Sequence, residues 1–211
     1  MQNSRRIIWA IAAVAVIGTG LFFLNGWMKS QEVKAPTRVL PSLGTIPAFS
    51  LTTQDNTPYS NTDLKGKIWV ADLIFTNCAG TCPMLSARMA SLQTAIKKTG
   101  SNVHLVSVSV DPNNDTPDVL KQYGKTFQAD FTRWTFLTGK VSTIYTLAKE
   151  GFHLTLDSAH EDVQEPITHS ERLVLIDGNA NIRGYYNGTE VDAESKLLAD
   201  LGELLREEKV Q

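Results

Sequence analysis

The stretch that decides the fold reads IWVADLIFTNCAGTCPM and runs from Ile68 to Met84. Its first half, Ile68–Phe75, is mostly apolar, which is typical of a strand buried on both faces of a sheet. Asp72 interrupts this run, and a buried carboxylate needs a partner that the sequence does not identify. Cys78 and Cys82, the only cysteines of the chain, follow where the strand pattern gives way to a helical one. This placement makes them a candidate chemical site.

The two cysteines have the spacing C-x-x-x-C, one residue longer than the thioredoxin-type C-x-x-C. Pro83 suits the first position of a helix, which places Cys82 at the helix N-terminus. Unpaired backbone N–H groups and the helix dipole are expected to lower the pKa of the Cys82 thiol there. Cys78 is expected in the preceding loop, close enough for both sulfurs to bind one metal ion or each other.

Two other interpretations of the cysteine pair stay open. A structural disulfide is common outside the cytosol, although a bridge that closes so small a loop removes little entropy from the unfolded chain. A structural zinc site needs four ligands, which the two cysteines and four histidines of this chain barely supply.

The N-terminal region predicts a membrane anchor. Residues 7–28 carry no charge, and this segment is long enough to span a bilayer as a helix. Arg5 and Arg6, which precede it, favour a cytoplasmic N-terminus. The segment lacks the short apolar core and Ala-x-Ala ending of a cleaved signal peptide. We therefore predict an anchor at 1–28, a proline-containing tether at 29–45 and one globular domain at 46–211, on the periplasmic or outer face of the cell membrane.

Charge and compartment limit the function further. The chain has 20 basic and 22 acidic residues and no arginine-rich run, so nothing predicts binding to nucleic acid. The far side of a bacterial membrane is oxidising, and a reduced cysteine pair there needs a thiol reductant or a bound metal.

The domain pattern predicts alternating strands and helices, the signature of an α/β fold with a largely parallel sheet. Strands are expected at 49–51, 68–75, 103–110, 131–137, 152–156, 173–176 and 182–186. Helices are expected from Leu85 to near Gly100, from Pro117 with Thr116 as its cap, at 141–150 and at 193–208. Asp177 and Gly178 begin a tight hairpin. This order resembles the thioredoxin fold, with a central mixed sheet flanked by helices.

Four ordered motifs resemble the Sco/SenC family. They are DLKGK at 63–67, FTNCAGTCP at 75–83, VSVDP at 108–112 with DTP at 115–117, and THS at 168–170 before LID at 175–177. The resemblance covers nearly all of the chain after the tether. It implies a membrane-anchored, thioredoxin-like copper-binding protein that helps to assemble the dinuclear copper centre of cytochrome c oxidase.

The resemblance implies copper ligands at Cys78, Cys82 and His169. Two thiolates and one imidazole suit both Cu(I) and Cu(II). His160, in a polar loop, is an alternative third ligand, whereas His104 and His153 alternate with apolar residues and are predicted to be structural or surface residues.

Four further residues are candidates for the site. Met84 and Met89 share helical spacing with core positions, and packing is the predicted role of both. Asp111 and Asp115 have two open interpretations: they support the site or a partner surface, or they serve as loop and cap residues.

The leading functional prediction is a copper metallochaperone, a carrier rather than an enzyme. Its implied partners are the copper-receiving subunit of cytochrome c oxidase, a copper donor protein and a thiol reductant. The alternative is a thiol-disulfide oxidoreductase that reduces the cysteines of the oxidase copper site or of another exported protein. A peroxiredoxin-like activity is a third alternative, although the P-x-x-x-T-x-x-C context of that group is missing around Cys78.

Overall fold

The computed structural model describes residues 38–97, 103–154 and 170–208. Within these ranges, no helix has both the length and the apolar character that a bilayer-spanning segment requires. The predicted anchor, the tether before residue 38, His160 and His169 all lie outside the described residues.

Strands and helices alternate through the described ranges as the pattern predicts. The strands are β1 Ser50–Thr53, β2 Pro58–Ser60, β3 Ile68–Ile74, β4 Val103–Ser109, β5 Trp134–Thr138, β6 Arg172–Ile176 and β7 Ile182–Asn187. The α-helices are α1 Cys82–Lys97, α2 Pro117–Thr126, α3 Val141–Thr146 and α4 Ala193–Glu208. A 3₁₀ turn at Asn61–Leu64 precedes β3, and a π-helical turn at Leu147–Gly151 continues α3.

The strands form one mixed sheet in the order β2-β1-β5-β4-β3-β6-β7. The central strands β3, β4 and β5 are parallel, whereas the remaining pairings are antiparallel. Ile74, the last residue of β3, lies opposite Ser109, the last residue of β4. The carboxyl ends of both strands therefore meet at one edge of the sheet, which we call the cysteine edge because the Cys78 loop follows β3 there.

The two faces of the sheet carry separate hydrophobic cores. Helices α1, α2 and α4 cover one face with leucines such as Leu92, Leu120 and Leu201, and α3 covers the other face through Ile144. All seven residues of β3 are buried, because this strand lies between the two cores and has a neighbour on each side. A mostly apolar run is what such a position requires.

The structure differs from the predicted elements in several details, and one is β2, a strand that the pattern did not predict. Residues 152–154 do not form the start of a strand, so the strand predicted at 152–156 is wrong in its described part. His153 there has a φ of 52°, a left-handed conformation that is incompatible with an extended strand. The predicted helix at 141–150 is present, but its second half has π-helical hydrogen bonding.

The residues just before the predicted domain pack against it. Leu40 is buried, and Thr45 forms a β-bridge with Asn181. Arg183 donates to the carbonyl oxygens of Pro41 at 3.1 Å and Leu40 at 2.7 Å. The same guanidinium pairs with Glu207 of α4 at 2.7 Å. These contacts lie at the edge of the sheet where β3 begins, opposite the cysteine edge.

Asp72 has the partner that the sequence did not identify. Ser107 Oγ donates to Asp72 Oδ1 at 2.6 Å and accepts from Trp134 Nε1 at 2.9 Å. Among the described residues, Asp72 Oδ2 has no hydrogen-bond partner. Burial raises the pKa of Asp72 to about 7, although the bonds from Ser107 and from its own backbone lower it. A side-chain hydrogen bond to only one of its two oxygens therefore does not compensate for the desolvation of the carboxylate.

The raised pKa of Asp72 predicts a pH-dependent stability. Because the folded state holds the proton more tightly than the unfolded chain, the stabilisation is complete below about pH 4 and is lost as the pH rises to about 7. Asp72→Asn removes this titration. We expect the unfolding free energy of the variant, relative to wild type, to increase by up to about 4 kcal/mol between these pH values. Urea unfolding at several pH values measures the difference, and parallel curves for the two proteins would contradict the prediction.

Candidate metal centre

The cysteine loop is a short connection between a buried strand and a helix. It leaves β3 after Ile74 and enters α1 at Cys82. Cys78 N donates to the carbonyl oxygen of Phe75 at 3.3 Å, and Leu85 N donates to that of Thr81 at 3.0 Å. The first bond closes a turn that directs the Cys78 side chain back towards the start of α1. The C-x-x-x-C spacing thus brings both sulfurs to the cysteine edge of the sheet.

The Cys78 sulfur lies in a nest of hydrogen-bond donors. Gly80 N donates to it at 3.4 Å. Burial raises the pKa of the Cys78 thiol, but bonds from the backbone and side chain of Cys82 and from the backbones of Gly80 and Thr81 lower the pKa below its ordinary value. These donors are the unpaired N–H groups expected at a helix start. Because Cys78 is partly exposed, a stabilised thiolate is accessible to solvent.

Cys82 differs from Cys78 in both exposure and thiol pKa. Its side chain has no exposed surface. Burial raises the pKa of the Cys82 thiol to about 12, and the negative charges of Cys78 and Asp72 also raise it, despite a backbone bond from Phe75. The prediction that Cys82 is the low-pKa thiol is therefore wrong: Cys82 does begin the helix, but the N–H groups of that helix start face Cys78.

The pair consequently combines a partly exposed cysteine whose thiol pKa is lowered with a buried thiol that donates to it. Both cysteines are free thiols in this structure. Two sulfurs that share one hydrogen bond suit a soft cation such as Cu(I), which selects thiolates. The same asymmetry suits thiol exchange, in which an accessible thiolate attacks and a second cysteine resolves the mixed disulfide.

The described histidines lie far from this pair. His104 is opposite Trp69, near the start of β3, and the His153 ring lies against Gly44. Both positions belong to the edge opposite the cysteines, so the prediction that these two are not ligands agrees with the fold. Within residues 38–97, 103–154 and 170–208, no three acidic, cysteine or histidine side chains cluster as a metal site.

The chain approaches the cysteine edge again just after His169. Strand β6 begins at Arg172 and runs antiparallel to β3, with Ala71 opposite Val174. The first residues of β6 therefore lie beside the end of β3, from which the cysteine loop departs. His169 itself and the alternative His160 lie outside the described residues, so their assignment as ligands stays a prediction.

The structure separates the remaining candidates. Met89 is fully buried, as predicted, whereas Met84 is 41% exposed, so its predicted packing role is wrong. Asp111 is a loop residue that accepts from Asn114 Nδ2 at 2.8 Å. Asp115 is buried and accepts from the backbone and hydroxyl of Thr76, two residues before Cys78. The D-P-x-x-D-x-P pattern marked this loop, but nothing in the pattern indicated that Asp115 reaches the cysteine loop.

The asymmetry of the two thiols predicts ordered alkylation. At neutral pH, iodoacetamide should modify Cys78 well before Cys82, because Cys78 is partly exposed and its pKa is lowered, whereas Cys82 is buried and its pKa is raised. Cys82→Ala removes the S–H donor and should raise the pH midpoint of Cys78 alkylation. Peptide mass spectrometry over a pH series measures both effects. Faster modification of Cys82, or an unchanged Cys78 midpoint in the variant, would contradict this description of the pair.

Comparison with known proteins identifies the family. The family model described as SCO1/SenC matches residues 41–206. The SCO1 protein homolog of Bacillus subtilis is 31% identical over 81% of this chain and 86% of its own length. A putative copper-binding protein of Stutzerimonas stutzeri is 28% identical over 72% of this chain and 74% of its own.

A solved structure agrees with this similarity. That of BsSco, reported with a disulfide switch and as a member of the Sco family of cytochrome c oxidase assembly proteins, superimposes with a TM-score of 0.69. It is 30% identical and covers 79% of this chain and 98% of BsSco. The fold, the cysteine motif and these matches together show that the chain belongs to the SCO1/SenC family.

Proposed function

We propose that this protein is a copper metallochaperone that delivers copper to the dinuclear copper centre of cytochrome c oxidase during its assembly. Cys78 and Cys82 bind the copper ion together with His169, and the ion passes to the copper-receiving subunit by ligand exchange during docking. Copper is the cargo of the protein. A copper-binding relative and a Sco protein described as an oxidase assembly factor support this class of function.

The observation that carries the proposal is the arrangement of the two sulfurs. Cys78 is partly exposed and its thiol pKa is lowered, whereas the buried Cys82 keeps its proton and donates it in a hydrogen bond to Cys78. An incoming Cu(I) ion meets the exposed sulfur first and then displaces the proton between the sulfurs. Each further bond to the ion thus forms in turn, and release to an acceptor can follow the reverse order.

The pKa values give this binding a pH dependence. Because the pKa of the Cys82 thiol is raised to about 12, copper must displace its proton throughout the physiological range. Copper affinity should therefore fall as the solution becomes more acidic.

His169 is proposed as the third ligand because the residues that directly follow it lead to the cysteine edge. Ser170 directly follows it and leads into β6, which begins beside the end of β3. His104 and His153 are held at the opposite edge by β4 and by the contact with Gly44. An imidazole ligand in addition to two thiolates allows the site to bind Cu(II) as well as Cu(I).

A thiol-disulfide oxidoreductase is the second candidate, and the asymmetric thiols favour it. An exposed thiolate with a buried resolving cysteine is the arrangement that exchange chemistry needs. The disulfide switch described for BsSco supports this alternative. The two functions differ in their need for His169, since thiol exchange proceeds without an imidazole ligand.

The deciding experiment measures copper binding by the reduced protein with and without His169. Wild type should bind one Cu(I) per chain in competition with a chromophoric chelator. His169→Ala should weaken binding by more than the roughly 10–100-fold that loss of an outer-shell partner costs, because a direct ligand is removed. His153→Ala is the matched control, since this exposed histidine lies at the far edge.

The possible results separate the functions. Equal affinity for wild type and His169→Ala, with a loss in His160→Ala, would transfer the third ligand to His160. Weak copper binding by every form, combined with rapid glutathione-dependent cycling of the pair, would replace the chaperone with the oxidoreductase.

We also propose that residues 7–28 anchor the protein in the cell membrane with the domain on the periplasmic or outer face. The uncharged segment and the preceding Arg5 and Arg6 support this orientation. Protease added to intact spheroplasts should digest the domain while a cytoplasmic marker survives. Deletion of residues 2–28 should leave the protein in the soluble fraction of lysed cells. Protection of the domain, or membrane retention after the deletion, would contradict the proposal.

A further inference from the structure

Asp115 is a buried carboxylate that neutral donors satisfy. It lies in the loop between β4 and α2 and has no exposed surface. Thr76 Oγ1 donates to its Oδ1 at 2.5 Å, and Ser109 Oγ donates to its Oδ2 at 2.5 Å. Thr76 N faces both oxygens, at 3.3 and 3.1 Å. A carboxylate is costly to bury without such bonds, so this loop conformation requires Thr76 to stay in place.

The bonds of Asp115 cross from one loop to another. Ser109 ends β4, in the same connection as Asp115, but Thr76 belongs to the cysteine loop, which departs from β3. Val110 N donates to the carbonyl oxygen of Ile74 at 2.9 Å, which is the last backbone bond of the β3–β4 pairing. Beyond that bond, the contact with Asp115 continues the connection between the two chain segments. Thr76 is thus fixed immediately before the turn that contains Cys78.

A loop cap alone would satisfy donors of its own loop. Asp130 gives the comparison within this chain: it accepts from Thr132 N at 3.2 Å and Thr132 Oγ1 at 2.6 Å, two residues away. Asp115 makes the same pair of bonds to a threonine that is 39 positions away in the sequence. The Asp130 turn precedes β5, at the edge opposite the cysteines.

We propose that Asp115 is a positioning residue for the cysteine pair. Asp115 holds Thr76 in place, and the Cys78 sulfur thereby stays within reach of the N–H groups of Gly80, Thr81 and Cys82. The proposed role concerns the position of the Cys78 sulfur, and only its effect on copper binding rests on the function proposed above. Loss of the contact allows the turn at residues 75–78 to relax. The Cys78 sulfur then makes fewer hydrogen bonds in the reduced protein, and the two sulfurs are less well arranged to share a metal ion.

The test compares Asp115→Asn and Thr76→Val with Asp130→Asn and Thr132→Val. The first readout is the equilibrium in which the Cys78–Cys82 disulfide and two glutathione molecules give the dithiol and glutathione disulfide. Fewer bonds to the reduced sulfur should shift this equilibrium towards the protein disulfide. We expect a shift of about fivefold, equivalent to one net hydrogen bond. The second readout is Cu(I) affinity, which should fall about tenfold in Asp115→Asn.

The control variants should leave both readouts unchanged, since they alter the same bonds at the opposite edge. Thermal unfolding of all four variants separates a loss of stability from a change at the cysteines. If Asp115→Asn does not fold, Thr76→Val still decides the question, because valine keeps the shape of threonine and removes only the hydroxyl donor.

Two outcomes would overturn the inference. The first is a glutathione equilibrium of wild-type value in Asp115→Asn or, if that variant does not fold, in Thr76→Val. Asp115 would then be a loop cap without an effect on the cysteines. Equal shifts in the control variants would show a general effect of instability. If wild type itself does not retain copper, the proposed function fails, whereas the glutathione arm continues to test the positioning role.

Discussion

The site depends on the burial of β3 between two neighbouring strands and two hydrophobic cores. Every residue of this strand is buried, and parallel β4 on one side and antiparallel β6 on the other fix its register. A strand held in this way cannot slide, because a shift by one residue would exchange the faces of all its side chains. The point where the chain leaves the sheet is therefore fixed, and with it the position of Cys78.

The start of the helix at Cys82 stabilises the Cys78 sulfur rather than the Cys82 sulfur. The N–H groups of the helix start converge on the Cys78 sulfur, while Cys82 is enclosed by the core. One local structure thus creates two thiols of different character. Copper binding and thiol exchange can both use this difference, so the geometry of the sulfurs alone is compatible with either chemistry.

The sequence predicted most strands and helices because their apolar periods match their burial, as in Leu92 of α1. It also located the cysteine pair and the Thr116–Pro117 start of α2. It assigned the low pKa to the wrong cysteine because the pKa depends on which sulfur the N–H groups face, a three-dimensional property. The exposure of Met84 was missed for the same reason, and the sequence left open whether Asp115 supports the site or serves as a loop residue. Neither the exposure of Met84 nor the bonds of Asp115 follow from spacing along the chain.

The clasp that Arg183 forms with Leu40, Pro41 and Glu207 has a practical consequence. It gathers the beginning of the domain and the last turn of α4 at one pole of the molecule, whereas the cysteines occupy the other. A fluorescent label, affinity tag or fused protein joined before residue 38 or after α4 is attached to the pole away from the sulfurs. Such additions leave the reactive pole open to a docking partner, so the start of the described domain at residue 38 and the end of α4 are suitable attachment points for capturing a complex.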